Sequence, residues 1–96
     1  MNRAKAIELL QQCKPTLVAR YGVNRLALFG STARDSGRDD SDVDVLVAFD
    51  GPATSKRYFG VQFLLEDTLG KAVDLVTDKA LRPELRDCVE REAIYV

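Results

Sequence analysis

Asp42 and Asp44 stand on alternate residues at the head of an apolar run, SDVDVLVAF, and Asp74 interrupts a second one, AVDLVT. Residues i and i+2 of a strand project from one face about 6–7 Å apart, so Asp42 and Asp44 could grip one or two divalent ions from the same side. Acids on an apolar strand are costly to bury unless a cation sits between them. Two-metal phosphoryl-transfer sites hold their ions ~3.5–4 Å apart, and a third carboxylate helps to complete them. Asp74 is the candidate for that role, because a neighbouring strand lies only ~4.8 Å away and could aim its carboxylate into the same cleft. Mg²⁺ suits such an all-oxygen set, with waters and substrate phosphates as its other ligands. Upstream, Gly30-Ser31 closes a short apolar strand just before a helix start, where a phosphate could dock on backbone N–H groups.

Each feature also has a plainer reading. Asp42 and Asp44 could be solvated residues leaving a polar loop, and Asp74 an edge residue or a salt-bridge partner. Gly-Ser turns are common. The joint placement of all three at strand ends favours chemistry. Other motifs fail on spacing. Asp40, Asp42 and Asp44 match positions 1, 3 and 5 of an EF-hand loop, but Val45 stands where its glycine belongs and Gly51 where its glutamate belongs. GSTARDSGR lacks the lysine of a Walker-type phosphate loop. The chain has no histidine, which removes Ser-His-Asp triads, histidine acid–base catalysis and nearly all zinc chemistry.

The elements that must position these residues can be read in order. Asn2 can cap a first helix with Ala6, Ile7, Leu10 and Cys13 at helical spacing. Pro15 either starts a second short helix to Tyr21 or kinks one longer helix, and Gly22 ends it. Leu26 to Phe29 reads as a strand, and Ser31 as the cap of a short helix through Arg34 or Asp35. Residues 37–41 read as loop. Val43 to Phe49 alternates, with Val43, Val45, Val47 and Phe49 on one face and Asp44, Leu46 and Ala48 on the other. Both faces turn apolar toward its end, which predicts an internal strand. Asp50-Gly51-Pro52 is a turn. Lys56 to Leu69 reads as a helix with a stripe of Tyr58, Val61, Leu65 and Leu69 that Phe59 and Phe63 widen, stopped by Gly70. Ala72 to Thr77 is a third strand. Pro83 to Ala93 is a last helix with Leu85, Cys88 and Val89 on one side, expected to face the core. Ile94-Tyr95-Val96 could add an edge strand. This order predicts a mixed α/β (α+β) chain with one sheet covered by helices.

Ninety-six residues predict a single domain over 1–96, near the low end of what buries its own core. A net charge of −1 gives no basic face for nucleic acid. Cys13 and Cys88 have no disulfide-dense pattern, which favours a reducing compartment. No signal peptide or stretch of ~18 apolar residues is present, so the expectation is a cytoplasmic protein without membrane contact.

Gly30-Ser31, ten residues, then Asp42-x-Asp44 resembles the GSx10DxD signature of the polymerase-β-type nucleotidyltransferase superfamily. The longer pattern LFGSTAR…SDVDVLV, with VDLVT for the third acid, resembles its minimal nucleotidyltransferase (MNT) group across nearly the whole chain. The Pro15 break in the leading helix is the one departure. The resemblance implies a small mixed sheet of three to four strands covered by helices. It implies that Asp42 and Asp44 bind two Mg²⁺ ions, with Asp74 completing one and accepting the proton of the attacking group. Gly30 and Ser31 would hold the β- and γ-phosphates of ATP while an acceptor oxygen attacks the α-phosphate. Arg34 could reach the triphosphate, or sit in a surface salt bridge with an acid such as Asp35 or Asp39. So short a chain leaves little room for an acceptor domain. Proteins of this group are often encoded beside a HEPN-domain ribonuclease toxin, and as antitoxins transfer AMP to a tyrosine on it. A hetero-oligomer with such a toxin is the expectation. Alternatives are an inactive module that neutralises a HEPN toxin by occlusion, and nucleotidyl transfer to a small molecule.

Overall fold

The computed structural model describes residues 1–36 and 41–96. Helix α1 (Arg3–Tyr21) leads into strand β1 (Val23–Phe29), a single helical turn α2 (Gly30–Ala33), strand β2 (Val43–Phe49), helix α3 (Ser55–Leu69) and strand β3 (Val73–Thr77). A 3₁₀ turn (Asp78–Ala80), helix α4 (Pro83–Glu92) and a two-residue strand β4 (Ile94–Tyr95) complete the chain. The four strands form one mixed sheet in the order β3-β2-β1-β4, as the family resemblance implies. β2 is antiparallel to β1 and parallel to β3, since α3 carries the chain back across the sheet between them. β2 is therefore internal, as its two apolar faces predict.

The core lies on one face of this sheet. Val43, Val45, Val47 and Phe49 of β2, with Leu26 and Leu28 of β1 and Val73 and Leu75 of β3, pack under Ala6, Leu10, Cys13 and Leu17 of α1 and Val61, Leu65 and Leu69 of α3. The period-2 pattern of β2 thus decides which face is apolar, and Asp44 falls on the other face with Leu46 and Ala48. Among the described residues, Asp78, Leu81, Arg86 and Glu90 lie over Leu46 and Ala48 on that second face.

Several boundaries depart from the sequence reading. At Pro15, where the sequence left two alternatives, the chain takes the one longer helix, α1. Pro15 cannot bond the Gln11 carbonyl, but both residues are exposed and water can take that acceptor. Asn2 caps the helix as predicted, its side chain accepting the Lys5 N–H at 2.8 Å. β1 starts at Val23, earlier than Leu26, because a bulge between Val23 and Arg25 breaks the alternation that marks a strand. Phe59 and Phe63 do not widen the buried stripe of α3; they are 49% and 66% exposed. α4 ends one residue earlier than predicted and contributes no buried residue, with Leu85 half exposed and Cys88 exposed. The expectation that it faces the core fails. It lies over a face filled by Ala27, Leu46 and Ala48, and polar ties such as Arg86 Nη2 to the Asp78 carbonyl (3.1 Å) help to hold it. Ile94 and Val96 do pack partly against the core.

One device was not legible in the sequence. β3 is an edge strand, and its outer backbone groups meet three side chains spaced four apart on α3. Tyr58 donates its hydroxyl to the Leu75 carbonyl (2.6 Å), Gln62 donates to the Val73 carbonyl (3.3 Å), and Glu66 accepts the Val73 N–H (3.0 Å). These bonds blunt an edge that could otherwise pair with another chain. They also fix the height at which β3 presents Asp74.

Candidate active site

The parallel pairing of β2 and β3 sets Asp44 directly opposite Asp74. Partners in one row of a sheet project from the same face about 4.8 Å apart. Their carboxyls are within hydrogen-bonding reach of each other. Partial burial, the Asp74 charge, that hydrogen bond and then the Asp42 charge together push the Asp44 carboxyl up to about 6, while the Arg34 guanidinium pulls the other way. Asp42 lies one residue before β2 and is exposed, so it reaches the site from the solvent side. The structure therefore gathers the three predicted acids, one of them half-buried between the others.

The antiparallel pairing of β1 and β2 sets Phe29 opposite Asp44, so the chain turns into α2 right beside that carboxylate. Gly30 makes the turn with φ +74°, and a Cβ there would lie 2.1 Å from Asp44 Oδ2. No other residue fits without displacing the acid. Gly30 is thus coupled sterically to Asp44, a reason for glycine that the Gly-Ser dipeptide alone does not give. Ser31 departs from its predicted role as a cap. Phe29 occupies the cap position without a side-chain bond, and Ser31 lies inside α2, its carbonyl accepting the Ser36 N–H (2.9 Å) and hydroxyl (3.3 Å). The turn into the helix comes one residue earlier because Gly30 alone tolerates the approach of Asp44.

Arg34 follows α2, close enough to act on Asp44 through its charge. Among the described residues its ion pair is not with Asp35. Asp39 lies outside the described residues, as does the predicted loop except Ser41, and Asp35 accepts the Arg3 N–H at 3.0 Å. Arg34 Nη1 instead meets Glu92 Oε2 at 2.8 Å, tying α2 to the end of α4. Sequence reasoning missed Glu92, and at a separation of 58 positions there was no local signal to find it.

Among the described residues no three acidic or thiol side chains are grouped closely enough to hold a metal ion. The donor chemistry nevertheless fits a hard divalent cation. Asp42, Asp44 and Asp74 offer only oxygen, and the burial of Asp44 and then the charges of Asp74 and Asp42 that lift it are what such a cation offsets. Asp44 and Asp74 stand opposite each other, with the Asp42 charge acting on Asp44 and the Gly30 turn pressed against it.

Residues 10–96 match the family model described as a nucleotidyltransferase domain. The chain belongs to the nucleotidyltransferase family. It is 36% identical over 88 residues to the protein adenylyltransferase MntA of Thermococcus cleftensis, covering 92% of this chain and 89% of that one. It is 39% identical over 93 residues to a provisionally named protein adenylyltransferase of Methanocaldococcus jannaschii, at 93% and 92% coverage. A solved structure provisionally named a minimal nucleotidyltransferase superposes with a TM-score of 0.77 and 41% identity over 98% of this chain and 95% of that one. The fold is also that of a complex described as a tri-AMPylated Shewanella oneidensis HEPN toxin with MNT antitoxin, with a TM-score of 0.59 and 22% identity over 98% of this chain and 67% of that one. Among the described residues no helix is long and apolar enough to cross a membrane.

Proposed function

We propose that residues 1–96 act as a single minimal nucleotidyltransferase domain, a cytoplasmic Mg²⁺-dependent protein adenylyltransferase. In this reading the chain is the antitoxin of a HEPN-domain ribonuclease and transfers AMP from ATP to a tyrosine of that partner. The observation that carries it is the register of β2 against β3, which sets Asp44 opposite Asp74 with Gly30 pressed against Asp44. Relatives about a third identical over nearly the whole chain carry the name protein adenylyltransferase, which supports protein as the acceptor class.

The chemistry then divides among the residues as follows. Asp42 and Asp44 would hold two Mg²⁺ ions, which when bound would supply positive charge to stabilise the α-phosphate under attack. Gly30 and Ser31 would hold the β- and γ-phosphates, and Arg34, which pairs with Glu92, would meet the triphosphate. Asp74 sits on the exposed side of the pair and is placed to take the proton of the incoming tyrosine hydroxyl. The tyrosine oxygen bonds to the α-phosphorus, the bond from that phosphorus to the bridging oxygen breaks, and pyrophosphate leaves. The product is a tyrosine carrying AMP through a phosphodiester.

The experiment is to incubate the protein with ATP, Mg²⁺ and the HEPN protein encoded beside it, then map the partner's peptides by mass spectrometry. Adenylylated tyrosine is expected with the native chain and not with Asp42→Asn or Asp44→Asn. A partner that is neutralised while every tyrosine stays unmodified overturns the reading in favour of occlusion.

A further inference from the structure

The face of α3 turned away from the sheet carries an apolar stripe that the proposed chemistry does not use. Phe59 and Phe63 are 49% and 66% exposed, one turn apart, with their rings stacked at 6.3 Å. Adjacent exposed aromatics of this kind mark interaction surfaces more often than plain solvent faces. A shallow groove of about 600 Å³ runs beside Phe63, lined by Tyr21, Gly60, Leu64, Glu66 and Asp67 as well. Gly60 makes that groove possible, because a Cβ there would lie 2.3 Å from the Tyr21 ring, and its absence lets the end of α1 lie close against α3. Lys56 and Asp67 extend the stripe at its two ends, both exposed and neither in an ion pair with another described residue.

We propose that this stripe is a self-association surface on which a second copy of the chain packs its α3 antiparallel, about a two-fold axis near Val61 and Gln62. The order of charge along the stripe selects the occupant and its direction. Reversal about that point sets Lys56 of one copy against Asp67 of the other, and this happens twice because the interface is isologous. It also sets Phe59 against Phe63, where it can enter the groove. A parallel arrangement sets Lys56 beside Lys56 and gains neither ion pair. The stripe faces away from the sheet, and Asp42, Asp44 and Asp74 lie on the sheet's far side, so both sites stay open in the pair. About three turns of one helix form a small interface, so association in the micromolar range or weaker is expected.

Sedimentation velocity on the full chain, from low to several hundred micromolar, reads this directly. The native chain should shift from 10.7 kDa toward twice that mass as concentration rises. Phe63→Ser should remain monomeric with an unchanged circular dichroism spectrum and melting temperature, since the residue is mostly exposed. Lys56→Glu should weaken association at least about tenfold, because two like-charge contacts replace two pairs. Adding Asp67→Lys to Lys56→Glu should restore it. A native chain that stays monomeric throughout overturns the proposal, including one whose stripe binds a different protein instead. So does a charge-reversed double variant no better than the single one.

Discussion

Replacing Asp44 by Asn should make the metal-free protein more stable while destroying its activity. The Asp44 carboxyl is pushed up to about 6 from an ordinary 3.8, chiefly by burial and then by Asp74. At 1.36 kcal/mol per pH unit that displacement corresponds to about 3 kcal/mol. The group is more than a third exposed, so solvent screening reduces the penalty to about 1 kcal/mol. The sign follows from proton binding. The native chain holds this proton more tightly than the unfolded one, so the penalty is absent below pH ~4, grows as pH rises toward 6 and is complete above 6. The amide introduced by Asp44→Asn also donates to Asp74 where two carboxylates repelled. The variant should therefore melt about 5 °C above the native chain at pH 7.5 in chelator, with the difference vanishing near pH 4. Mg²⁺ should raise the native melting temperature and leave the variant's nearly unchanged. Melts followed by circular dichroism across pH, with and without Mg²⁺, measure all of this. A variant that melts below the native chain at pH 7.5 in chelator, or whose gain is equal at pH 4 and 7.5, refutes the picture of mutual carboxylate repulsion.

Three further substitutions separate roles that lie close together. Gly30→Ala introduces a Cβ 2.1 Å from Asp44 Oδ2 at a positive φ, and should cost about 1–3 kcal/mol in chemical denaturation and about a hundredfold in transfer rate by shifting Asp44. Glu66→Ala removes the acceptor of the part-buried Val73 N–H and should cost about 1–3 kcal/mol, with Glu66→Gln recovering most of it; faster hydrogen exchange at Val73 would identify the cause. Arg34→Ala should raise the KM for ATP about tenfold while Glu92→Ala should not, and both should change stability by less than about 1 kcal/mol because the pair is solvent-facing. Equal effects of the two on KM would assign Arg34 to the salt bridge alone.

How far the sequence carried depends on whether the signal was local. The β2 strand and its chemical face follow from strict alternation between Val43 and Phe49, and α3's buried stripe from helical spacing of Val61, Leu65 and Leu69. The pairing of Asp44 with Asp74 was expected only as proximity. Its register depends on how α3 docks, and three polar side chains of that helix are bonded to the β3 edge. The aromatic pair Phe59 and Phe63 misled because a helical apolar stripe carries no mark of where burial stops; α1 and the sheet already cover the inner side of α3. α4 misled as well, since Leu85 and Cys88 have the right spacing yet remain exposed. Gly30 was identified for a phosphate turn, and the structure adds that an acid occupies the space its side chain would need. Glu92 lay beyond any local pattern.

The central claim is that three carboxylates on neighbouring strands direct attack at the α-phosphate of ATP rather than at the γ-phosphate. Parallel reactions with ATP labelled at one or the other position, in the presence of Mg²⁺ and a HEPN-domain partner protein, test it most directly. The account predicts α-label on a partner tyrosine, the γ-label released in equal amount as pyrophosphate, and neither outcome with Asp44→Asn. γ-label on the partner, or no transfer of either label at any Mg²⁺ concentration, contradicts it.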